Sequence, residues 1–148
     1  MPIRSRHLAF LIALLVLLAG ALSACASASG EALALMSEDQ LPADVLTAPA
    51  GVVDAYRFAA ANPEVMKAIP CYCGCGSMGH TSNYSCYVTG LAPDGSLEFD
   101  SHALGCSICV DITQDAMRLL GQGRSVPQIR AYIDDTYGRY GTSNMSGE

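Results

Sequence analysis

Three cysteines at alternate positions, Cys71, Cys73 and Cys75, constrain this chain more than any other feature. They lie in the stretch IPCYCGCGSMGH, Ile69 to His80, which adds a thioether at Met78 and an imidazole at His80. Cys86 follows, and a Cys-x-x-Cys, Cys106-Ser-Ile-Cys109, comes later with His102 ahead of it. Any fold for this chain must hold those sulfurs as disulfides, as metal ligands or as a redox pair. The compartment decides among these first.

The N-terminus addresses the compartment. MPIRSRH carries Arg4 and Arg6, an apolar run extends from Leu8 to Leu22, and LSAC closes it at Cys25. A basic start, an apolar middle and small residues before a cut make a secretory signal. The LSAC ending resembles the bacterial lipobox, whose cysteine is acylated and becomes the first residue of the mature chain. The apolar run is 15 residues, short against the roughly 20 that a spanning helix needs. The expectation is a lipoprotein signal peptide over 1–24 and a lipid on Cys25. The lipid would hold the protein to a membrane surface, on the extracytoplasmic side of a bacterial cell envelope, with no helix of the mature chain crossing it.

Loss of that leader takes two of the eight basic residues, leaving six against 14 acidic ones, a formal charge near −8. Phosphate binding needs clustered Lys and Arg, so nucleic acid is not expected as a partner. Residues 25–50, rich in Ala, Ser and Pro, read as a flexible tether. A Cys-rich domain is expected over 51–140 and a disordered tail over 141–148. A folded part of about 90 residues has a marginal core, which cross-links or a metal would reinforce.

Hydrophobic spacing gives mostly α structure: a small bundle of about three to four helices, with an inserted Cys-rich loop and a short β-hairpin. Val52, Val53, Tyr56, Ala59 and Ala60 recur at spacings of three and four, one stripe of a helix. Pro63 suits the first turn of a second, short helix capped by Asn62, and Pro70 ends it. Asp94-Gly95 signals a turn between the apolar runs CYV and LEF. A further helix begins near Cys109, with Ile112, Ala116, Leu119 and Leu120 inward and Gly121 or Gly123 as its stop. The last is the best marked. Ser125 and Gln128 form a capping box, Pro127 lies in the first turn, and Val126, Ile129, Ile133 and Tyr137 form the stripe that Gly138 closes.

With Cys25 assigned to lipid, six cysteines remain, and an oxidising compartment permits three disulfides in any of 15 pairings. Spacing weighs against that outcome. Cysteines one residue apart bond only through a strained small ring, so each of three alternate cysteines would need its own distant partner. Metal binding explains the spacing more directly. Alternate side chains of an extended loop share a face, so Cys71, Cys73 and Cys75 can converge. Cys106 and Cys109 at a helix start form a two-sulfur metal grip whose thiolates the helix N-terminus favours. Cys86, His80 and His102 complete the ligand candidates. Thiolates select soft ions, with Cu(I) favoured and Zn(II) next.

The run PCYCGC at Pro70–Cys75 resembles the signature of the bacterial PCYCGC-motif lipoproteins. Those proteins tend to show a later histidine and cysteine, here His80 and Cys86, then a Cys-x-x-Cys, here Cys106 and Cys109. The resemblance covers about Tyr56 to Tyr137. GQGRSVPQIRAYIDDTYG is similar to the end of the membrane-anchored thiol-reductase component of cytochrome c maturation, which implies Cys106 and Cys109 as a redox pair. The short interval between Cys109 and Gly123 and the extra CYCGC depart from that family.

No carboxylate pair, serine–histidine arrangement or phosphate-cradling loop stands out, so no hydrolytic or transfer chemistry is expected. The leading expectation is a non-enzymatic metal-binding lipoprotein that captures, transfers or buffers a soft ion, with a metal-delivery or metal-accepting protein as partner. The alternatives are thiol–disulfide exchange by Cys106 and Cys109, and a fold held by structural zinc or by disulfides, about 10 kcal/mol or more for zinc and about 2–4 for a disulfide.

Overall fold

The computed structural model describes residues 33–145. The expected signal peptide, Cys25, the first part of the tether and residues 146–148 lie outside these. Five α-helices and one two-stranded hairpin are present among the described residues: α1 (Ala43–Leu46), α2 (Ala50–Ala61), α3 (Pro63–Lys67), β1 (Val88–Leu91), β2 (Leu97–Phe99), α4 (Ser107–Gly121) and α5 (Val126–Tyr137). The mostly helical bundle with an inserted hairpin is therefore as expected. Two single-turn helices, α1 and α3, raise the helix number. None of these helices is long and apolar enough to cross a membrane.

α4 is the centre of the bundle, packed between α2 and α5. α2 presents small residues at Ala55, Ala59 and Ala60 beside buried Tyr56 and Phe58, which lets the helices approach closely. At its N-terminal end, a Cβ on Gly51 would lie 2.5 Å from the Gln114 side chain of α4. α4 buries Ile112, Ala116 and Leu119 along with Cys109, Val110 and Thr113, while Leu120 is only partly covered. α5 starts with the full Ser125–Gln128 capping box and buries Ile129, Ile133 and Tyr137.

The hairpin is antiparallel, with Val88 opposite Phe99, Gly90 opposite Glu98 and Leu91 opposite Leu97. Thr89 is the extra residue of a bulge between the first two pairs. Gly95 takes φ 86° in the Asp94-Gly95 turn, a conformation that favours glycine.

Three expectations change. Asn62 does not cap α3 with its side chain; its amide donates instead to the carbonyls of Phe58 and Ala34, both at 2.8 Å. It closes the end of α2 and fastens the preceding segment. That segment, the second half of the expected tether, packs on the bundle: Leu41 and Val45 are buried, and Met36 pairs with Arg57 through its backbone N–H and carbonyl. Apolar burial there outweighs the Ala- and Pro-rich composition. The expected tail is also ordered through Asn144, whose backbone N–H donates to the Cys71 carbonyl at 3.1 Å.

Candidate metal centre

The Cys-rich loop begins where α3 ends. Ile69 is buried and its carbonyl accepts the Asn83 N–H at 2.8 Å, which ties the loop's entry to its far side. Cys71 and Cys73 then alternate with Tyr72, whose hydroxyl donates to Asp134 of α5 at 2.6 Å. Tyrosine and thiols thus leave the backbone on different sides. The segment does not stay extended. Gly74 (φ 85°) and Gly79 (φ 91°) bracket a 3-10 turn over Cys75–Met78, and this bend carries Cys75 back toward its neighbours.

The six cysteines among the described residues are unpaired. Cys71 Sγ lies 3.4 Å from Cys73 Sγ and 3.5 Å from Cys109 Sγ, and Cys73 lies 3.6 Å from Cys109. Cys75 and Cys86 are 3.7 Å apart. A disulfide would need about 2.05 Å. A tetrahedral ion with metal–sulfur bonds near 2.3 Å spaces its sulfurs by about 3.8 Å, close to the separations here. Four donor sets each fit within 4.8 Å: Cys73, Cys106 and Cys109 with His102; Cys75 and Cys86 with His80 and His102; Cys71 with Cys73 and Cys75; and Cys71 with Cys86 and Cys109. The sets interlock through shared members. All eight ligand candidates from the sequence therefore meet in one place. Met78 is in none of these sets and is 59 % exposed.

The histidines are set by one carboxylate. Asp100 accepts the backbone N–H of His102 at 2.7 Å and lies 3.4 Å from Nε2 of His80. The Tyr56 hydroxyl donates to the Asp100 carbonyl at 2.7 Å. The two imidazole rings meet edge to face at 5.0 Å, and Nε2 of His102 is 3.4 Å from Cys73 Sγ. With Nε2 of His80 facing Asp100, the nitrogen left over is Nδ1, which is buried and has no hydrogen-bond partner. An orphaned imidazole nitrogen is costly in a protein interior, and a metal ion would satisfy it. A carboxylate on the other ring nitrogen is the usual support of a metal-bound histidine. Donor chemistry, spacing and this orphaned atom all fit a soft ion.

Cys106 occupies the N-cap position of α4 and Cys109 lies in its first turn, at the positive end of the helix macrodipole. Hydrogen bonds from Cys71 and then Cys86 pull the Cys109 thiol down to about 6. At Cys71 the bond with Cys109, the largest influence, pushes up, but those with Cys75 and Cys86 prevail and its thiol is lowered. Burial, followed by the charge on Cys71, raises Cys73. Hydrogen bonding to Cys109 first, and to Cys71 and Cys75 next, raises Cys86. Negative charge on some sulfurs holds protons on the others. Complete deprotonation of the set requires a cation.

Of the residues that support the site, Asn83, Thr113 and Asn144 gave no signal in the sequence, and Tyr87 reads there only as core. Tyr87 is buried and donates to the Cys109 carbonyl at 2.8 Å; Thr113 donates to the Tyr87 hydroxyl at 2.7 Å; Asn83 donates to Thr113 at 2.9 Å. This chain fixes the backbone that carries Cys109. Asn144 does the same for Cys71. Its Oδ1 accepts the Cys71 N–H at 2.7 Å, and its amide donates to the Ser82 carbonyl at 3.1 Å and reaches Cys75 Sγ at 3.5 Å. Gly141 lets the tail close on the loop, since a Cβ there would stand 2.8 Å from the Tyr72 carbonyl oxygen.

A family model described as a protein of unknown function with PCYCGC motif matches residues 26–145. No curated protein and no solved structure matches the chain. The C-terminal similarity to the cytochrome c maturation reductase rests on its sequence residues alone.

Proposed function

The chain belongs to the PCYCGC-motif family, and from that premise we propose that it is a lipid-anchored protein that binds a soft metal ion, Cu(I) ahead of Zn(II), for capture, transfer or buffering. The observation that carries this reading is the convergence of six unpaired cysteines and two histidines in one cluster. Thiolate-rich sites prefer Cu(I) and then Zn(II) over harder ions. Cys73, Cys106 and His102 are only partly buried while Cys71, Cys75, Cys86 and Cys109 are covered. The first three form the side on which a metal-delivery or metal-accepting protein would exchange its ion. A lipid on Cys25 would keep the domain at the extracytoplasmic membrane surface, and Cys25→Ser is expected to release it to the soluble fraction. Retention of that variant in the membrane pellet would refute the anchor.

Thiol–disulfide exchange through Cys106 and Cys109 is a second reading, favoured by the lowered Cys109 thiol at a helix start. Exchange needs an accessible pair set apart from other thiols. Cys109 is fully buried and touches Cys71 and Cys73, which supports ligation instead.

Purification from the cell envelope without reductant, followed by elemental analysis and thiol counting on one sample, tests the proposal. Bound soft metal, with thiols that react only after denaturation or chelation, is the expected result. A metal-free protein with no free thiols would discard it.

A further inference from the structure

We propose that the cluster is binuclear, with two soft ions sharing the Cys71 sulfur; this rests on the metal-binding reading above. Cys71 is the common corner of two sulfur triangles. One is Cys71, Cys73 and Cys109, with edges of 3.4, 3.5 and 3.6 Å. The other is Cys71, Cys75 and Cys86, whose sulfurs all lie within 4.8 Å of one another, the last two at 3.7 Å.

Each triangle has further donors beside it, and His102 lies within 4.8 Å of members of both. Cys106 groups with Cys73 and Cys109, and so does His102, whose Nε2 lies 3.4 Å from Cys73 Sγ. His80 groups with Cys75 and Cys86. Each lobe therefore offers an imidazole and enough thiolates for a four-coordinate ion, provided Cys71 serves both. Thiolate sulfur has the lone pairs to bridge two soft ions.

A single ion resolves only half of this arrangement. Placed with Cys73, Cys106, Cys109 and His102, it leaves Nδ1 of His80 buried without a partner and leaves Cys75 against Cys86. Placed with Cys75, Cys86 and His80, it leaves the tight contact among Cys71, Cys73 and Cys109. Charge points the same way. With all six thiols ionised, one Cu(I) would leave a formal −5 and two −4, and one divalent ion would leave −4 and two −2, so a second ion of either charge relieves a largely buried site. Buried uncompensated charge is expensive. The ligand class is thus a pair of thiophilic ions bound together.

Titration of the reduced, metal-free protein with the NMR-active isotope of cadmium(II) tests this. Two cadmium ions per chain at saturation, two cadmium resonances shifted into the thiolate range, and Cys71 β-protons correlated with both resonances are expected. Cys106→Ser is expected to move one resonance and leave the other in place. One cadmium per chain with one resonance would overturn the binuclear site while leaving soft-metal binding intact. Two resonances with Cys71 coupled to only one would overturn the bridge. No binding at all would remove both this inference and the reading beneath it.

Discussion

Asp100 is the residue on which the histidine side of the site depends. Its carboxylate faces Nε2 of His80 and holds the backbone of His102. Asp100→Asn is expected to weaken zinc affinity about 10–100-fold, read by competition with a chromophoric chelator, with helix content unchanged. Equal affinity for both proteins would show that neither histidine ligates. Asn144 plays the matching part for the cysteines. Asn144→Ala removes an acceptor from the Cys71 N–H and a donor from the Ser82 carbonyl. The expected loss is about 1–3 kcal/mol of stability in denaturant unfolding, together with faster metal release to a chelator. A variant that releases metal at the wild-type rate would mean that the tail only covers the site.

At the scale of elements, the helices were legible because their signals are local. The Ser125–Gln128 box and the stripe of Ile129, Ile133 and Tyr137 fix α5 within one stretch of chain. Ser125→Ala should therefore cost about 1 kcal/mol of stability and leave metal affinity unchanged; a fall in affinity would couple α5 to the site. The candidate ligands were legible in part, from cysteine spacing and from the two histidines beside it, in that the fold brings these eight residues together. What stayed hidden depends on distant partners. Asn144 looks like any polar residue of a Gly- and Ser-rich end until it meets Cys71, 73 positions away. Asn83, Tyr87 and Thr113 come together only once the loop folds over α4. Leu41 and Val45 sit in an Ala- and Pro-rich stretch that reads as linker, and only the packed structure reveals their burial. α4 begins at Ser107 rather than near Cys109, so Cys106 is its N-cap and the whole Cys-x-x-Cys shares the helix terminus.

For the whole molecule, the site makes metal-free stability depend on pH in two opposed ways. Cys109 titrates at about 6 in the fold, below the usual thiol value of 9.0. Its contribution is complete above that usual value and is lost as pH falls through 6. Cys73 and Cys86 are raised, so theirs is present below the usual value and is lost as pH rises past it. The melting temperature of the reduced, metal-free protein should therefore climb from pH 6 toward 9 and decline above that. The metal-loaded form should lack the alkaline decline, because its thiolates are already ionised and neutralised. Metal binding near neutral pH should also release protons, since Cys73 and Cys86 hold theirs until a cation arrives. Calorimetry in buffers of different ionisation enthalpy reads that release. A flat pH profile without proton release would mean that the thiols are not the ligands.

X-ray absorption at the metal edge, on protein loaded anaerobically with Cu(I) or with Zn(II), tests the central claim most directly. A first shell dominated by sulfur at about 2.3 Å, with a minor nitrogen contribution, is the predicted result. A shell of oxygen and nitrogen alone would contradict it and assign the six cysteines another purpose.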